Sequence, residues 1–120
     1  MPIAHLHDLK RRNVAWQNDP NYIYIGRSRV GFHFGNPFGH VRGLATVTVR
    51  TREEAVRCFE QWIYGTHHQH VEPERRQWIL NNLHRLVGKT LVCFCAPWAC
   101  HGDIYDRILG EAWTQEYLNR

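Results

Sequence analysis

The sequence predicts a small α/β protein: a single domain over residues 1–120 with a mostly parallel, Rossmann-like sheet flanked by three main helices. Three observations predict it. Short β-rich runs precede two amphipathic helical stretches, a nearly all-apolar run follows them, and a last helix closes the chain; this alternation is the pattern of an α/β sheet. A length of 120 residues fits one domain and one core. A composition that is 43% hydrophobic and 22% charged is that of a globular chain rather than a disordered one.

Residues 21–25 (Asn-Tyr-Ile-Tyr-Ile) are β-rich and run into Gly26, so they read as a strand ending in a turn. A shorter strand is expected at residues 14–16, with Asn18, Asp19 and Pro20 as the turn between the two. Residues 26–43 are Gly-rich and aromatic and show no regular pattern. A structureless stretch of that length in so small a domain is more often functional than idle. Residues 45–49 alternate apolar side chains with Thr and read as another strand.

A helix follows. Thr51 and Glu54 fit a capping box, and Ala55, Phe59, Trp62 and Ile63 fall on one face before Gly65. His67, His68 and His70 lie in a polar linker read as solvated. Pro73 is placed to open the next helix, with Ile79, Leu83, Leu86 and Val87 as its apolar stripe and Gly88 after its end. Residues 89–95 have the composition of a strand buried on both faces. From about His101 a final helix turns Ile104, Ile108 and Ala112 inward.

Charge is uneven along the chain. Residues 1–52 carry 8 Lys+Arg and 2 Asp+Glu, whereas residues 53–120 carry 7 and 9, so +6 and −2 make up the net +4. Thirteen of the 15 cations are Arg, whose planar fork suits bidentate contact with phosphate. A basic N-terminal half favours an anionic partner: a nucleotide or nucleoside-derived small molecule, or nucleic acid. The longest apolar run, residues 91–100, is about half of the ~20 residues of a membrane span, and the first residues lack the apolar segment of a secretory signal. The expectation is a cytoplasmic protein without a membrane partner; the oligomeric state is left open.

Two segments carry chemistry, and both leave strand C-termini, where ligands of parallel sheets bind. In the first, Gly26, Gly35 and their glycine neighbours permit close approach to a phosphate. Arg27 and Arg29 can pair with its oxygens, Ser28 between them is a further candidate ligand contact, and Phe32, Phe34 and Phe38 can stack on a base. Asn36, held out of the helical region by Pro37, can direct its amide at a ligand edge. The second runs from Cys93 through Cys95 and Cys100 to His101, Gly102 and Asp103. It admits three functional forms and a purely structural one. A pocket can form at the helix start, with Cys95 and Gly102 against the ligand and no metal or cofactor. A zinc site can use Cys93, Cys95, Cys100 and His101, although Cys-x-Cys is a poorer chelate than the usual knuckle. Cys100 beside His101 can be a reactive thiol.

Gly26-Arg27, Gly35-Asn36-Pro37-Phe38, the helix opening at Thr51, and Leu91 to Asp103 with its Cys-x-Cys-x-Pro-x-x-Cys-His-Gly-Asp pattern together resemble a bacterial and phage family, domain of unknown function 4326. The resemblance covers roughly residues 22–110 and implies a bacterial or phage protein, in the latter case acting in the host cytoplasm. It implies no activity.

The expectation from these residues is a nucleotide-like small molecule bound between the Gly-Asn-Pro-Phe loop and the Cys-His-Gly-Asp helix start. If catalysis occurs there, N-glycosidic or nucleotidyl chemistry is the natural class, with Asp103 as acid or base, or Cys100 as nucleophile assisted by His101. One alternative is a non-enzymatic phage anti-defence protein that sequesters a signalling nucleotide. Another is a zinc-stabilised nucleic-acid-binding module.

Overall fold

A computed structural model describes residues 3–28, 31–43, 45–93 and 100–110. Its centre is a three-stranded sheet in the order β1-β5-β2, formed by β1 (Ile3–His5), β2 (Tyr22–Tyr24) and β5 (Thr90–Cys93). Both pairings are parallel: Ile3 lies opposite Leu91 on one side and Ile23 opposite Leu91 on the other. The middle position of β5 explains its composition. Leu91, Val92 and Cys93 are all buried, as an interior strand covered on both faces requires.

A second sheet has two short parallel strands, β3 (Phe38–Gly39) and β4 (Val47–Thr48). The helices are α1 (Leu6–Arg11), α2 (Arg52–Tyr64), α3 (Pro73–Asn82) and α4 (His101–Gly110), with a 3₁₀ turn at Leu83–Leu86. The small α/β architecture and parallel sheet expected from the sequence are present.

Helix signals translate most directly. Thr51 Oγ1 accepts from Glu54 N at 3.0 Å. Glu54 Oε2 reaches back one residue further than a capping box, to Arg50 N at 3.2 Å. Gly65 closes α2 in the left-handed region at φ 80°, a conformation glycine adopts without a Cβ penalty. Ala55, Phe59, Trp62 and Ile63 are buried as the period predicts, and Trp62 Nε1 donates to Val71 O at 2.6 Å. Of the next stripe, Ile79, Leu83 and Leu86 are buried but Val87 is 51% exposed. Val87 lies past the 3₁₀ turn, where the helical period no longer applies. Ile104 and Ile108 of α4 face inward; Ala112 lies outside the described residues.

Four expectations need correction. Residues 14–16 are not a strand: Val14 N bonds Leu9 O to close α1, and Trp16 N bonds Val14 O in a tight turn. The sheet neighbour of β2 is β5, so no strand is needed there. The N-terminal segment, read only as charged, supplies β1 and a fourth helix, α1. Three strand residues are too few for a period-2 signal; their pairing with β5 defines them. Residues 26–43 do contain a strand, β3, because Gly39 O and Pro37 O accept from Val49 N and Val47 N. The strand expected at 45–49 shrinks to Val47–Thr48 and joins β3 rather than the main sheet. Among the described residues, no helix is long and apolar enough to cross a membrane.

Candidate functional site

Past β2 the chain loses its sheet partner, and its backbone carbonyls must be satisfied by other means. Side chains do so almost one by one. Arg75 Nη1 donates to His33 O (3.0 Å) and Gly35 O (2.6 Å). Tyr105 Oη donates to Phe34 O at 2.7 Å. Arg27 Nε and Nη2 donate to Asn36 O (2.9 Å) and Phe38 O (3.0 Å). The strand bond from Val47 N to Pro37 O completes the set. Every carbonyl from His33 to Phe38 is therefore held, and a loop without internal periodicity acquires a fixed shape.

Gly35 makes that shape possible. A Cβ there would stand 2.8 Å from Arg27 Cα, so the two ends of the excursion touch backbone to backbone. Asn36 locks the exit: its Oδ1 accepts from Phe38 N at 2.9 Å and its Nδ2 donates to Ala55 O at 3.0 Å, pinning the loop to α2. The Asn36 amide thus points into the protein, not at a ligand edge as the sequence suggested. Phe34 and Phe38 are core residues. Phe34 packs on Trp78 and Tyr105, with centroids 4.9 and 6.0 Å away, and Phe38 packs on His68 at 4.9 Å. Neither presents a face to a base; Phe32, 52% exposed, is the one of the three at the surface.

Outside this frame lies a polar cleft of about 300 Å³, lined by Arg27, Ser28, His33, Asn36, Pro37, Gly43, Ala45, Thr46, Glu72 and Arg75. Two arginines and one glutamate share this lining. Glu72 binds Arg75 in a fork, Oε1 to Nε at 2.8 Å and Oε2 to Nη2 at 3.1 Å, and Oε2 also accepts from Thr46 Oγ1 at 2.8 Å. These bonds hold the Glu72 carboxyl below the usual carboxylate range, Arg75 contributing most. Glu72 is itself in the left-handed region at φ 37°, immediately before Pro73. A non-glycine residue there is strained, by about 1–3 kcal/mol, and is retained only where its surroundings over-determine it. His33 Nδ1 accepts from Gly35 N at 3.1 Å. Partial burial, then the neighbouring Arg75, keep His33 below its ordinary pKa. Neutral His33 therefore carries its proton on Nε2, leaving an N–H as its remaining polar group.

The second segment meets the first at the C-terminal end of the main sheet. His101 Nε2 donates to Ile25 O at 2.7 Å, and Cys100 Sγ lies 3.1 Å from Cys93 Sγ. The junction is packed with side chains. Cys100, His101 and Gly102 are buried, and a Cβ on Gly102 would meet Ile25 Cδ1 at 3.0 Å and Ile3 Cδ1 at 3.2 Å. The missing side chain of Gly102 accommodates the sheet rather than a ligand. Asp103 is exposed at the start of α4, and its Oδ2 accepts from Cys100 N at 3.3 Å.

Of the expected ligand residues, the cleft gathers Arg27, Ser28, Asn36 and Pro37. Gly26, Phe34, Gly35 and Phe38 are buried and are not among its lining residues, and Cys95 lies outside the described residues. None of Cys100, His101, Gly102 and Asp103 lines it. Among the described residues, no three His, Cys, Asp or Glu side chains gather as a metal-binding group. His33, Thr46, Glu72 and Arg75 were not singled out from the sequence. Arg75 lies 42 residues from His33 and 40 from Gly35, and no local pattern announces such a pairing.

Acidification should destabilise the fold. Burial holds His101 below the ordinary histidine pKa near 6.5, as partial burial does His33. Below that value the unfolded chain binds more protons than the folded one. The stabilisation is fully present above about pH 6.5 and is lost as pH falls through it, with Glu72 adding a further loss on descent through the carboxylate range. Melting midpoints should hold between pH 8 and about 6.5 and fall from there to pH 5; a midpoint that holds or rises below about pH 6.5 would contradict the burial of both imidazoles.

The family model described as domain of unknown function (DUF4326) matches residues 9–111, and the chain belongs to that family. No curated protein and no solved structure matches it.

Proposed function

We propose that this family member binds a nucleotide-like small molecule, with its phosphate at Arg27 and Ser28 and its polar remainder facing His33, Thr46 and Glu72. The observation that supports the reading is the cleft itself. It is at the lower end of ligand-pocket volumes, and it sets Arg27, Arg75, a hydroxyl and an imidazole N–H around one polar space. Backbone carbonyls fix the Arg27 guanidinium in place, which preorganises it for an anion, while Arg75, paired with Glu72, holds the wall of the cleft. Glu72 accepts hydrogen bonds only, as suits a ribose hydroxyl or a base amine. A Rossmann-like ancestry of the parallel sheet belongs to the same proposal, with the ligand beyond the strand ends.

Burial of Cys100 and His101 favours binding without chemistry, the form in which a phage or bacterial protein sequesters a signalling nucleotide. Asp103, the exposed member of that segment, does not line the cleft, which favours the same reading over N-glycosidic or nucleotidyl chemistry. A thermal-shift panel of nucleoside mono- and diphosphates and cyclic nucleotides tests the reading. A ligand at 100 times its dissociation constant adds about 2.7 kcal/mol to stability. At least one compound should raise the midpoint at millimolar concentration, and Arg27→Ala should remove the rise. If no compound does so, the proposal fails. Ligand recovered unchanged after denaturation indicates sequestration, and converted ligand indicates an enzyme.

A further inference from the structure

The junction between the sheet and α4 holds a pair of sulfurs that the cleft does not use. Cys93 ends β5 and Cys100 immediately precedes α4, and their Sγ atoms are 3.1 Å apart. Both are buried, and neither forms a disulfide. A disulfide needs the sulfurs about 1 Å closer than this, a shift within reach of small side-chain rotations.

The surroundings of Cys100 are those of a reacting sulfur. Gly102 N donates to Cys100 Sγ at 3.3 Å, which stabilises negative charge on it. His101 Nδ1 stands 3.7 Å from the same sulfur. Because His101 Nε2 donates to the Ile25 carbonyl, the neutral ring has its lone pair on Nδ1, facing Cys100. One atom therefore offers a donor for the charge, a second an acceptor for the proton, and Cys93 a second thiol 3.1 Å away.

We propose that Cys93 and Cys100 form a dithiol–disulfide couple oxidised by hydrogen peroxide, with Cys100 as the sulfur that reacts first. Cys100 passes its proton to His101 Nδ1 and attacks a peroxide oxygen. The O–O bond breaks, leaving Cys100 as a sulfenic acid and releasing hydroxide, which regains the proton from His101 as water. Cys93 Sγ then attacks Cys100 Sγ and expels the second oxygen as hydroxide, which takes the Cys93 proton. Two thiols lose two electrons to one peroxide, and two waters leave. Burial of both sulfurs favours an oxidant as small as hydrogen peroxide over a bulky disulfide, so the product is an internal bridge and not a mixed disulfide.

The test treats the reduced full-length chain with hydrogen peroxide and counts thiols after denaturation. The four cysteines should fall to two titratable thiols with a mass loss of about 2 Da, reversed by dithiothreitol, and peptide mapping should join Cys93 to Cys100. A Cys58→Ser/Cys95→Ser variant should show the same 2 Da loss. In Cys93→Ala, a sulfenic acid on Cys100 should be trapped by dimedone. Retention of all four thiols in the wild-type chain, or a bridge mapping to Cys58 or Cys95, would overturn the proposal; both readouts use the wild-type chain, so they stand even where a variant fails to fold.

Discussion

Replacing Arg75 with leucine is expected to lower the stability of the domain by about 3–5 kcal/mol, the usual cost of removing one partner from a buried ionic and hydrogen-bonded group. Arg75 is only 4% exposed, yet its guanidinium reaches three separate parts of the chain. It binds the Glu72 carboxylate, the His33 and Gly35 carbonyls, and stands over the Trp62 ring at 5.4 Å. Leucine replaces none of the polar partners. Two loop carbonyls lose their donor, and Glu72 keeps a negative charge in a strained backbone position without its main counter-charge. For a domain of this length the loss corresponds to a drop of roughly 10–20 °C in melting midpoint. The ligand-induced shift should vanish with it, because Arg75 shapes the cleft as well as lining it. A lysine at this position should rescue little, since a point charge cannot hold four acceptors in one plane. A drop of less than about 3 °C in the leucine variant would mean that water substitutes for these bonds, and the cleft would then not be a preorganised site.

The second large effect is expected at Asn36. Alanine there removes the acceptor for Phe38 N and the donor to Ala55 O, both in buried surroundings. The orphaned Phe38 N–H alone costs about 1–3 kcal/mol, and loss of the tie to α2 adds to it. Aspartate separates the two roles. It retains the acceptor for Phe38 N but sets a negative charge against the Ala55 carbonyl, where a buried unpaired charge costs more than the hydrogen bond it preserves. Thermal melts should therefore rank wild type above Asn36→Ala, and Asn36→Ala at or above Asn36→Asp. An aspartate variant as stable as wild type would show that the amide nitrogen is dispensable, and with it the pinning of the loop to α2.

Both residues show how the site divides between what is local and what is not. Helices α2 and α4 were legible because their determinants lie within a turn or two: Thr51 and Glu54 at the start, Gly65 at the end, Ile104 and Ile108 four apart. β5 was legible because a strand buried on both faces has to be apolar throughout. β1 was not, since three residues carry no period and only their pairing with β5 makes them a strand. The Gly-Asn-Pro-Phe loop is recognisable in the sequence as a singular segment, but the burial of its side chains is not: Phe34 and Phe38 enter the core and the Asn36 amide bonds inward.

Composition and short-range pattern determined the α/β class, the central strand, the limits of α2 and the Arg-rich, basic N-terminal half. These follow from interactions between residues a few positions apart, which any reading of the chain can see. Tertiary structure alone decided that Arg75 and Tyr105 hold the loop carbonyls, that Glu72 and Arg27 line one cleft, and that Cys93 meets Cys100. Such contacts join residues distant in the chain through hydrogen bonds that many side chains could make, so their choice is settled only when packing of the core brings particular partners within reach.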